Sequence, residues 1–421
     1  MRLFYLCLGY LLAPLALAAE LVGGFRDRRH WQHLGERFGY GSSLPTGGLW
    51  LHAVSVGEVQ AAATLIRTLH ARFPDAPLLL TTATVTGRWR AEELLGGQAS
   101  IRFLPYDLPG AVARFLDRAR PRLGVVLETE LWPNLYRAAR RRGVPMILAS
   151  ARVSEKSVRR YRRLGALIRT TLASNLHVAA QTDADARRFL ELGADPDRTE
   201  VLGNLKFDHE LPTDVAARGL ALRAALGAAR PLWVAGSTHE GEEEQVLDAH
   251  AAICRRHPDA LLVLAPRHPP RFEAVAGLLR RRAVAHVTRR SGAIVGHQTQ
   301  VLLLDTLGEL VPYYAAADVA YVGGTLVKVG GHNLLEPAAL GRPVIAGPYT
   351  FNDPAAARLL VEAGAVRVVR GAEELAAAVT VFLEDPAAAR VAGASGRAVV
   401  AANQGALARL VARIERLLGT T

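Results

Sequence analysis

Residues 49–66, LWLHAVSVGEVQAAATLI, pass from an apolar run into an amphipathic helical pattern within a few positions. The run LWLHAV is typical of a buried strand, and from Val59 onward apolar residues recur every three or four positions, which indicates a helix. Glu58 lies where the strand pattern passes into the helix pattern. A carboxylate in the first turn of a helix is stabilised by the helix dipole, so Glu58 is interpreted either as a capping residue or as a functional group.

The strand–helix unit recurs along the chain of 421 residues, which is too long for one ordinary core. Alternation of this kind predicts parallel sheets covered by helices on both faces, so the expected fold class is α/β with two doubly wound domains. A polar, proline-containing stretch at 208–231 is interpreted as a linker, and 372–418 as helices without a strand. The strand-like runs are LWLHAV, PLLLTT, LGVVLET, PMILAS, LHVAAQT and TEVLGN, then PLWVAGST, ALLVLAPR, VLLLD, DVAYVGG, PVIAG and AVRVV.

The composition narrows the class of protein. The formal net charge is +12, and of 51 basic residues only Lys156, Lys206 and Lys328 are lysines. A basic surface suits nucleic acid, anionic lipid or phosphorylated substrates equally. Zinc-finger spacing and RNP-type aromatic clusters are missing from the sequence, which argues against nucleic acid. Two cysteines, Cys7 and Cys254, cannot form a disulfide framework and fit a reducing compartment.

The N-terminal segment is apolar and carries no charge from residue 3 to residue 19. At 1.5 Å per residue these positions span roughly 26 Å, enough for a tilted or shallow membrane helix. The small-residue end ALAA resembles a signal-peptide cleavage site. Arginines at 26, 28, 29 and 37 outweigh the single Arg2, however, and positive charge stays cytoplasmic. We therefore interpret residues 1–24 as an uncleaved anchor, with a helix in the membrane interface as a variant.

Residues 323–337, GGTLVKVGGHNLLEP, contain the most informative loop. In doubly wound sheets ligands bind beyond the carboxyl ends of strands, and this loop follows the run DVAYV. Two glycine pairs allow close approach of the backbone, and the helix start after Asn333 offers amide groups to a phosphate. Glu336 is placed to accept hydrogen bonds from ribose hydroxyls. The alternative is a flexible loop with an Asn cap.

Other strand ends carry charged residues. Arg267, in APRHPPRF, follows a buried strand and suits a nucleotide phosphate, or is part of a solvated turn. In DTLGEL, residues 305–310, Gly308 permits close approach of a ligand to the backbone. Glu128 and Glu130 follow the run VVL directly. Lys206, in GNLKFD, is placed to act as a point cation near an acidic group, or it is a surface lysine beside Asp208.

Ten segments in the same order carry a resemblance to one known family. They are HAVSVGE, TTATVTG, LPYDLP, ETELWPNL, LGNLKFD, STHEGEE, PRHPPRF, DTLGEL, YVGGTLVKVGGHNLLEP and GPYTFN. The chain resembles the 3-deoxy-D-manno-octulosonic acid (Kdo) transferases of Gram-negative envelope synthesis over nearly its whole length. That family has the GT-B fold, in which two Rossmann-like domains face each other across a cleft. The resemblance thus implies an anchor at 1–24, an acceptor domain at 25–210 and a CMP-sugar-binding domain with closing C-terminal helices at 211–421.

The resemblance also implies a reaction and its residues. The expected donor is CMP-Kdo, the acceptor is the lipid A precursor (lipid IVA), and transfer inverts the anomeric centre without a metal or other cofactor. Glu58 corresponds to the general base, and Glu128 and Lys206 to residues that stabilise the transition state. The expected location is the cytoplasmic face of the bacterial inner membrane, with membrane lipid and no nucleic acid as partner. CMP contacts are expected at Pro266, Arg267, Leu307, Gly308, Glu309, Asn333, Leu334, Leu335 and Glu336, where Leu334 replaces a proline of some relatives.

Two other classes of protein stay open at this stage. One is a different GT-B enzyme, such as a uridine-nucleotide glycosyltransferase or a sugar epimerase. The other is a non-catalytic basic protein that binds anionic lipid or nucleic acid. Arginine clusters at 137–143 and 159–165 fit the phosphates of a lipid A precursor, anionic lipid, or an ordinary solvated face.

Overall fold

A computed structural model of the chain describes residues 2–173, 175–208 and 211–419. These residues form two units. The first comprises the described residues up to 208 together with 404–419, and the second comprises 211–403. Each unit is built around one parallel sheet, so the α/β expectation is confirmed for both.

The sheet of the first unit has the strand order β3-β2-β1-β4-β5-β6-β7, and every adjacent pair is parallel. The direction of winding reverses between β1 and β4, which makes this pair the topological switch point where such sheets bind ligands. The strands are β1 (Leu49–His52), β2 (Leu78–Thr82), β3 (Ser100–Phe103), β4 (Leu123–Leu127), β5 (Met146–Ala151), β6 (Leu176–Ala180) and β7 (Thr199–Val201).

Helices cover both faces of this sheet. Trp50 on β1 is fully buried, and its indole N–H donates to the Thr81 hydroxyl at 2.9 Å. Gly124 on the neighbouring strand makes room for it, because a Cβ there would lie 2.8 Å from the indole. The helices are α1 (Arg2–Arg26), α2 (Val56–Arg72), α3 (Val85–Leu95), α4 (Pro109–Ala119), α5 (Pro133–Arg141), α6 (Glu155–Leu164), α7 (Ala166–Leu172) and α8 (Asp183–Glu191).

Polar contacts attach helix α1 to the rest of the first unit. The Tyr5 hydroxyl donates to Asp107 at 2.8 Å, and Arg37 donates to Glu20 at 3.1 Å. Residues 2–25 of this helix are long and apolar enough to cross a membrane. The apolar N-terminal helix is therefore present, and its role as an anchor stays a prediction. Its exposed large apolar side chains include Leu3, Phe4, Leu11, Leu15, Val22 and Phe25.

The second unit repeats the architecture with the order β10-β11-β9-β8-β12-β13-β14, again all parallel. Here the winding reverses between β8 and β12. The strands are β8 (Leu232–Thr238), β9 (Leu261–Pro266), β10 (His286–Thr288), β11 (Val301–Leu303), β12 (Val319–Val322), β13 (Val344–Ala346) and β14 (Val366–Val368). The helices are α9 (Val215–Leu226), α10 (Glu243–Cys254), α11 (Pro270–Arg281), α12 (Leu310–Ala316), α13 (Leu335–Ala339), α14 (Pro354–Glu362), α15 (Ala372–Glu384) and α16 (Pro386–Asn403).

The structure differs from the sequence-based expectation at three places. The short edge strands β3 and β10 were not predicted, because edge strands are only half buried and carry no continuous apolar run. The stretch 208–231, expected to be a linker, contains helix α9, whose Gly219 packs against Ala315. Residues 209 and 210 of this stretch lie outside the described part of the chain.

The third difference concerns the C-terminal helix α17 (Ala406–Leu418), which was expected in the domain 211–421. It packs instead in the core of the first unit, where Leu410 and Ile414 are fully buried. Asp208 fixes the start of this helix by accepting hydrogen bonds from the amides of Gly405 at 2.6 Å and Leu407 at 2.8 Å. The chain therefore ends in the unit in which it begins.

Because α17 completes the first core, Leu410→Ala should lower the free energy of unfolding by about 2–5 kcal/mol, the usual cost of removing a buried leucine side chain. Thermal and denaturant unfolding of the purified chain measure the change. Leu220→Ala is the matched control, since Leu220 on α9 is 74% exposed. Equal effects of the two substitutions would contradict the assignment of α17 to the core.

Candidate active site

In the first unit, the predicted residues Glu58, Glu128 and Lys206 come together at the carboxyl edge of the sheet. Glu58 follows β1 and Glu128 follows β4, the two strands of the switch point. Lys206 lies in a short 3-10 helix after β7, and its ammonium group contacts a Glu128 carboxylate oxygen at 2.7 Å. The sheet topology thus gathers residues that are up to 148 positions apart in the chain.

Glu58 takes part in capping helix α2, close to the simplest interpretation of the sequence, although the cap residue itself is Ser55. It lies in the first turn of α2, and its carboxylate accepts hydrogen bonds from the Val54 amide at 2.8 Å and the Ser55 hydroxyl at 2.9 Å. Ser55 in turn accepts from the Glu58 amide. Each carboxylate oxygen has a further lone pair, so capping holds the side chain in place without excluding a chemical role.

Glu128 is held in an unusual backbone conformation. Its φ is 57°, in the left-handed region that non-glycine residues seldom adopt. Two cations fix its carboxylate, Lys206 at one oxygen and Arg152 at the other at 3.0 Å. The strained backbone at a strand end, together with the two ion pairs, makes Glu128 a candidate functional residue.

The pKa values of this carboxylate cluster diverge. Burial raises the pKa of Glu58, and the nearby charge of Glu128 raises it further. Burial also acts to raise the pKa of Glu128, but Lys206 and Arg152 outweigh it, so the net pKa of Glu128 is lowered. Burial and the charge of Glu58 raise the pKa of Glu130 to about 7. Neighbouring carboxyl groups with pKa values pushed apart are the usual arrangement for acid–base chemistry.

Arg152 is the residue of this cluster that the sequence-based list omitted. It follows β5 in the segment SARVS, which was recognised as a strand-end loop without a role for the arginine. Its guanidinium group is the second cation, besides Lys206, that contacts the Glu128 carboxylate. Only its position after a buried strand could have indicated it, because arginine is abundant throughout the chain.

In the second unit, the predicted CMP contacts follow strands β9, β11 and β12. Pro266 ends β9, and the backbone N–H of Arg267 donates to the Thr238 carbonyl at 3.0 Å, which ties it to the end of β8. After β11, Leu307 is 53% exposed, Gly308 adopts a φ of 80°, and Glu309 forms an ion pair with Arg289 at 3.0 Å. Strand β11 adjoins β9 and β9 adjoins β8, so these segments lie next to each other at the carboxyl ends of the strands.

The glycine loop after β12 is ordered by a buried carboxylate that the sequence did not reveal. Glu242 is fully buried and accepts hydrogen bonds from three successive loop amides, those of Gly324, Thr325 and Leu326, at 2.7–3.0 Å. The Tyr321 hydroxyl and the His239 amide also donate to it. Gly323 allows the start of the loop to pass close to the end of β8, because a Cβ at this position would lie 2.5 Å from the Ser237 carbonyl oxygen. These amides therefore bind a protein carboxylate.

The remaining predicted contacts, Asn333 to Glu336, lie where the loop enters α13. The Asn333 side chain accepts from the Leu335 amide at 3.0 Å and donates to Glu336 at 3.1 Å, so it braces the chain just before the helix, whose N-cap position is Leu334. Helix α13 has only five residues, and its dipole is correspondingly small. Asn333, Leu334 and Leu335 line a small cavity next to the loop, while Leu334 and Leu335 are themselves largely buried.

Metal ligands were not expected from the sequence. Among the residues that the structure describes, no three His, Cys, Asp or Glu side chains are arranged to hold a metal ion. Arginine, lysine and backbone amides contact the carboxylates of Glu128 and Glu242 at the carboxyl ends of the two sheets.

Comparison with known structures places this architecture in a fold class. The chain is similar to UDP-GlcNAc 2-epimerase from Neisseria meningitidis, with a TM-score of 0.58 and 14% identity over 88% of this chain and 100% of that one. It is likewise similar to a glycosyltransferase from Rickettsia africae, with a TM-score of 0.56 and 12% identity over 89% and 100% of the two chains. Two Rossmann-like units of this kind define a GT-B protein.

Sequence comparison identifies the family. The family described as 3-Deoxy-D-manno-octulosonic-acid transferase (kdotransferase) matches residues 32–209. A 3-deoxy-D-manno-octulosonic acid transferase from Haemophilus influenzae is 38% identical over 414 residues, 97% of each chain. Another from Bordetella pertussis is 43% identical over 380 residues, 88% of this chain and 87% of the relative. The chain belongs to the Kdo transferase family and is a glycosyltransferase.

Family membership confirms the resemblance drawn from the sequence, together with the GT-B fold and the class of enzyme. It decides against a non-catalytic basic protein and against a sugar epimerase. The residue roles of Glu58, Glu128 and Lys206 and the CMP contacts of the second unit stay predictions, although the structure brings the residues of each group to one sheet edge.

The role of Glu242 can be tested without a ligand. In Glu242→Gln the amide NH₂ would face backbone N–H donors, so at least one buried donor loses its acceptor at a cost of about 2 kcal/mol. We expect a decrease in Tm of about 4–8 °C and faster hydrogen exchange at residues 324–326. Glu240→Gln, at a side chain that is 85% exposed two positions away, is the control and should leave both unchanged. Unaltered exchange in Glu242→Gln would contradict the proposed organisation of the loop.

Proposed function

We propose that the chain transfers Kdo from CMP-Kdo to the lipid A precursor, lipid IVA, during lipopolysaccharide synthesis, with inversion at the anomeric carbon and without a metal. Glu58 is the general base. CMP is held by the second unit, through Pro266 and Arg267, Leu307 to Glu309 and Asn333 to Glu336. The enzyme acts at the cytoplasmic face of the bacterial inner membrane.

One observation carries the proposal: a carboxylate with a raised pKa, Glu58, lies at the switch point of the first sheet beside a second carboxylate that is neutralised by two cations. A general base works best when its pKa approaches the working pH, and burial moves Glu58 in that direction. Glu128, with its pKa lowered, keeps its negative charge and holds Lys206 and Arg152 at the same edge.

The reaction can be written with all atoms and charges accounted for. Glu58 takes the proton of the acceptor hydroxyl as its oxygen bonds to the anomeric carbon of Kdo. The bond from that carbon to the phosphate oxygen breaks, and CMP leaves with the bonding electron pair. The phosphate thereby gains one negative charge, and the positive charge of Lys206 and Arg152 is available for the carboxylate of the sugar or for the transition state.

On the donor side, Arg267 is the cation best placed by sequence position to bind the CMP phosphate, because a guanidinium binds phosphate oxygens through two parallel hydrogen bonds. Its backbone is fixed to the end of β8. The amides of residues 324–326 are bound to Glu242, so we assign the phosphate to Arg267 and leave Asn333 to Glu336 as contacts of the rest of CMP.

The acceptor is a glycolipid, and features of the first unit fit an enzyme at a membrane. Helix α1 presents an exposed apolar side that includes Phe4, Leu11 and Phe25. Helices α5 and α6 carry the arginine clusters at 137–143 and 159–165. Juxtamembrane arginines are attracted to anionic headgroups, and the same side chains suit the phosphates of a lipid A precursor.

The base assignment makes a direct prediction. Glu58→Gln retains an acceptor for the Val54 amide and should fold normally, but it cannot take a proton, so transfer should fall by about 10²-fold or more. Mass analysis of products from purified enzyme, CMP-Kdo and lipid IVA measures the rate, and CMP affinity and Tm should stay unchanged. The matched control is Glu155→Gln, in the first turn of α6 with a side chain that is 75% exposed. Wild-type turnover in Glu58→Gln would exclude this residue from the reaction.

The metal-free mechanism is tested separately. Because Arg267 supplies positive charge for the leaving phosphate, enzyme dialysed against EDTA should transfer Kdo at the untreated rate. Addition of Mg²⁺ or Mn²⁺ to the dialysed enzyme should give no stimulation beyond about twofold, the scale of an ionic-strength effect on exposed charges. A strict requirement for either ion would overturn this part of the proposal and leave the Glu58 assignment standing.

A further inference from the structure

Two imidazole rings in the second unit share a hydrogen bond that neither family membership nor the proposed mechanism uses. The Nε2 atoms of His239 and His332 lie 2.7 Å apart, and their ring planes are parallel within 4°. A contact of this length requires that one Nε2 carries a proton and donates it while the other accepts. Both rings cannot be charged at once, because two N–H groups would then point at each other.

The pair lies at the switch point of the second sheet. His239 directly follows β8, and His332 lies in the glycine loop that follows β12, the adjacent strand. Ligands of doubly wound sheets bind where these two strands diverge. His332 immediately precedes Asn333, the first residue of the segment assigned to CMP, and lines the same small cavity.

The charges around the pair are mainly positive. Burial, together with the nearby Arg267, His239 and His268, lowers the pKa of His332 to about 3. Burial also lowers the pKa of His239, and His268, whose ring centroid lies 5.2 Å away, adds to this effect. Without a ligand the pair is therefore neutral near pH 7.

The acidic groups nearby are already engaged. Glu242 is bound by five donors, and Glu243 and Glu240 contact Arg271. On the glycine loop, Lys328 is exposed and Glu336 is hydrogen-bonded to Asn333. The charged groups that act on the pair are Arg267, His268, Arg271 and Glu242, and the carboxylate of Asp353 lines the cavity beside His332.

We propose that the His239–His332 pair takes up one proton from solvent when the phosphate of CMP binds beside Arg267. The inference rests on the proposed function, which puts that phosphate at this sheet edge. The incoming proton goes to the Nδ1 of the ring that already donates through Nε2, so the hydrogen bond between the rings persists as an imidazolium–imidazole contact. Such charge-assisted bonds are stronger than neutral ones, and the pair accepts one proton only.

A proton on the pair would stabilise the negative charge that the phosphate gains during the reaction. In CMP-Kdo the phosphate is a diester with one negative charge, and in released CMP near pH 8 it has two. Proton uptake by the pair matches the second charge and favours the product phosphate over the diester. The acceptor proton goes to Glu58 in the first unit, so the two proton transfers involve separate groups.

The sign of the pH dependence follows from linkage. A phosphate that binds the protonated pair more tightly raises the pKa of the pair in the complex. Between the pKa of the free protein and that of the complex, CMP affinity should therefore fall as pH rises, by up to about tenfold per pH unit. Cytidine, which lacks the phosphate, should show no such dependence.

Isothermal titration calorimetry of the full-length chain in detergent tests the proposal. CMP is titrated at pH 8.0, where its phosphate is already dianionic, in two buffers with different heats of ionisation. We expect uptake of about 0.5 to 1 proton per CMP in the unmodified protein and less than about 0.2 in His239→Gln and in His332→Gln. Uptake should persist in His268→Gln and in the control His286→Gln, which changes a histidine of strand β10.

The outcomes separate this inference from the proposed function. CMP binding without proton uptake in the unmodified protein would overturn the inference alone. Uptake that survives in both His239→Gln and His332→Gln, or that is lost only in His268→Gln, would also overturn it. No detectable CMP binding under any condition would overturn the donor assignment itself. The measurement on the unmodified protein decides the question even where a variant folds poorly.

Discussion

The ion pairs that hold Glu128 between Lys206 and Arg152 are the interaction on which the chemistry we propose for the first unit depends. If Glu58 is the base, as we propose, a neighbouring carboxylate that titrated in the same range would compete with it for the acceptor proton. Two cations keep Glu128 ionised, and its charge in turn contributes to the raised pKa of Glu58. The backbone of Glu128 is in a strained conformation that these contacts stabilise.

The two units share one feature at the carboxyl ends of their strands. In each, a carboxylate at the switch point is bound by several donors. In the first unit Glu128 is bound by side-chain cations, which can redistribute when a charged substrate arrives. In the second unit Glu242 is bound by backbone amides and is fully buried, so it is a permanent part of the loop. The first arrangement suits a reacting centre, and the second suits a rigid binding surface.

The C-terminal helix α17 belongs to the first unit rather than to the second. Helix α17 returns to the first unit, where Asp208 binds its first amides and the apolar side of the helix fills the core. The chain therefore passes from the first unit to the second and back again. A C-terminal truncation would remove core residues from the unit that carries Glu58, so the effects of truncation on activity should be interpreted as effects on folding.

The sequence by itself determined the fold class, most of the strands and the loops in which the polar residues lie. It could do so because a parallel sheet buried on both faces requires continuous apolar runs, and because ligands bind at the carboxyl ends of such strands. The edge strands β3 and β10 lacked that signal. Glu58, Glu128 and Lys206 were recognisable because their motifs resemble those of a family, and Arg267 because it follows a buried strand.

Only the tertiary structure decided which polar groups meet. Arg152 and Glu242 have no distinctive local pattern, since arginine and glutamate are common in loops. The importance of Arg152 comes from a partner 24 positions away, and that of Glu242 mainly from partners 79 to 84 positions away. The same holds for His239 and His332, 93 positions apart in the chain and 2.7 Å apart in space. The periodicity of apolar residues indicates which side of a segment packs in the core. Contacts between loops depend on the order of the strands in the sheet, which that periodicity does not encode.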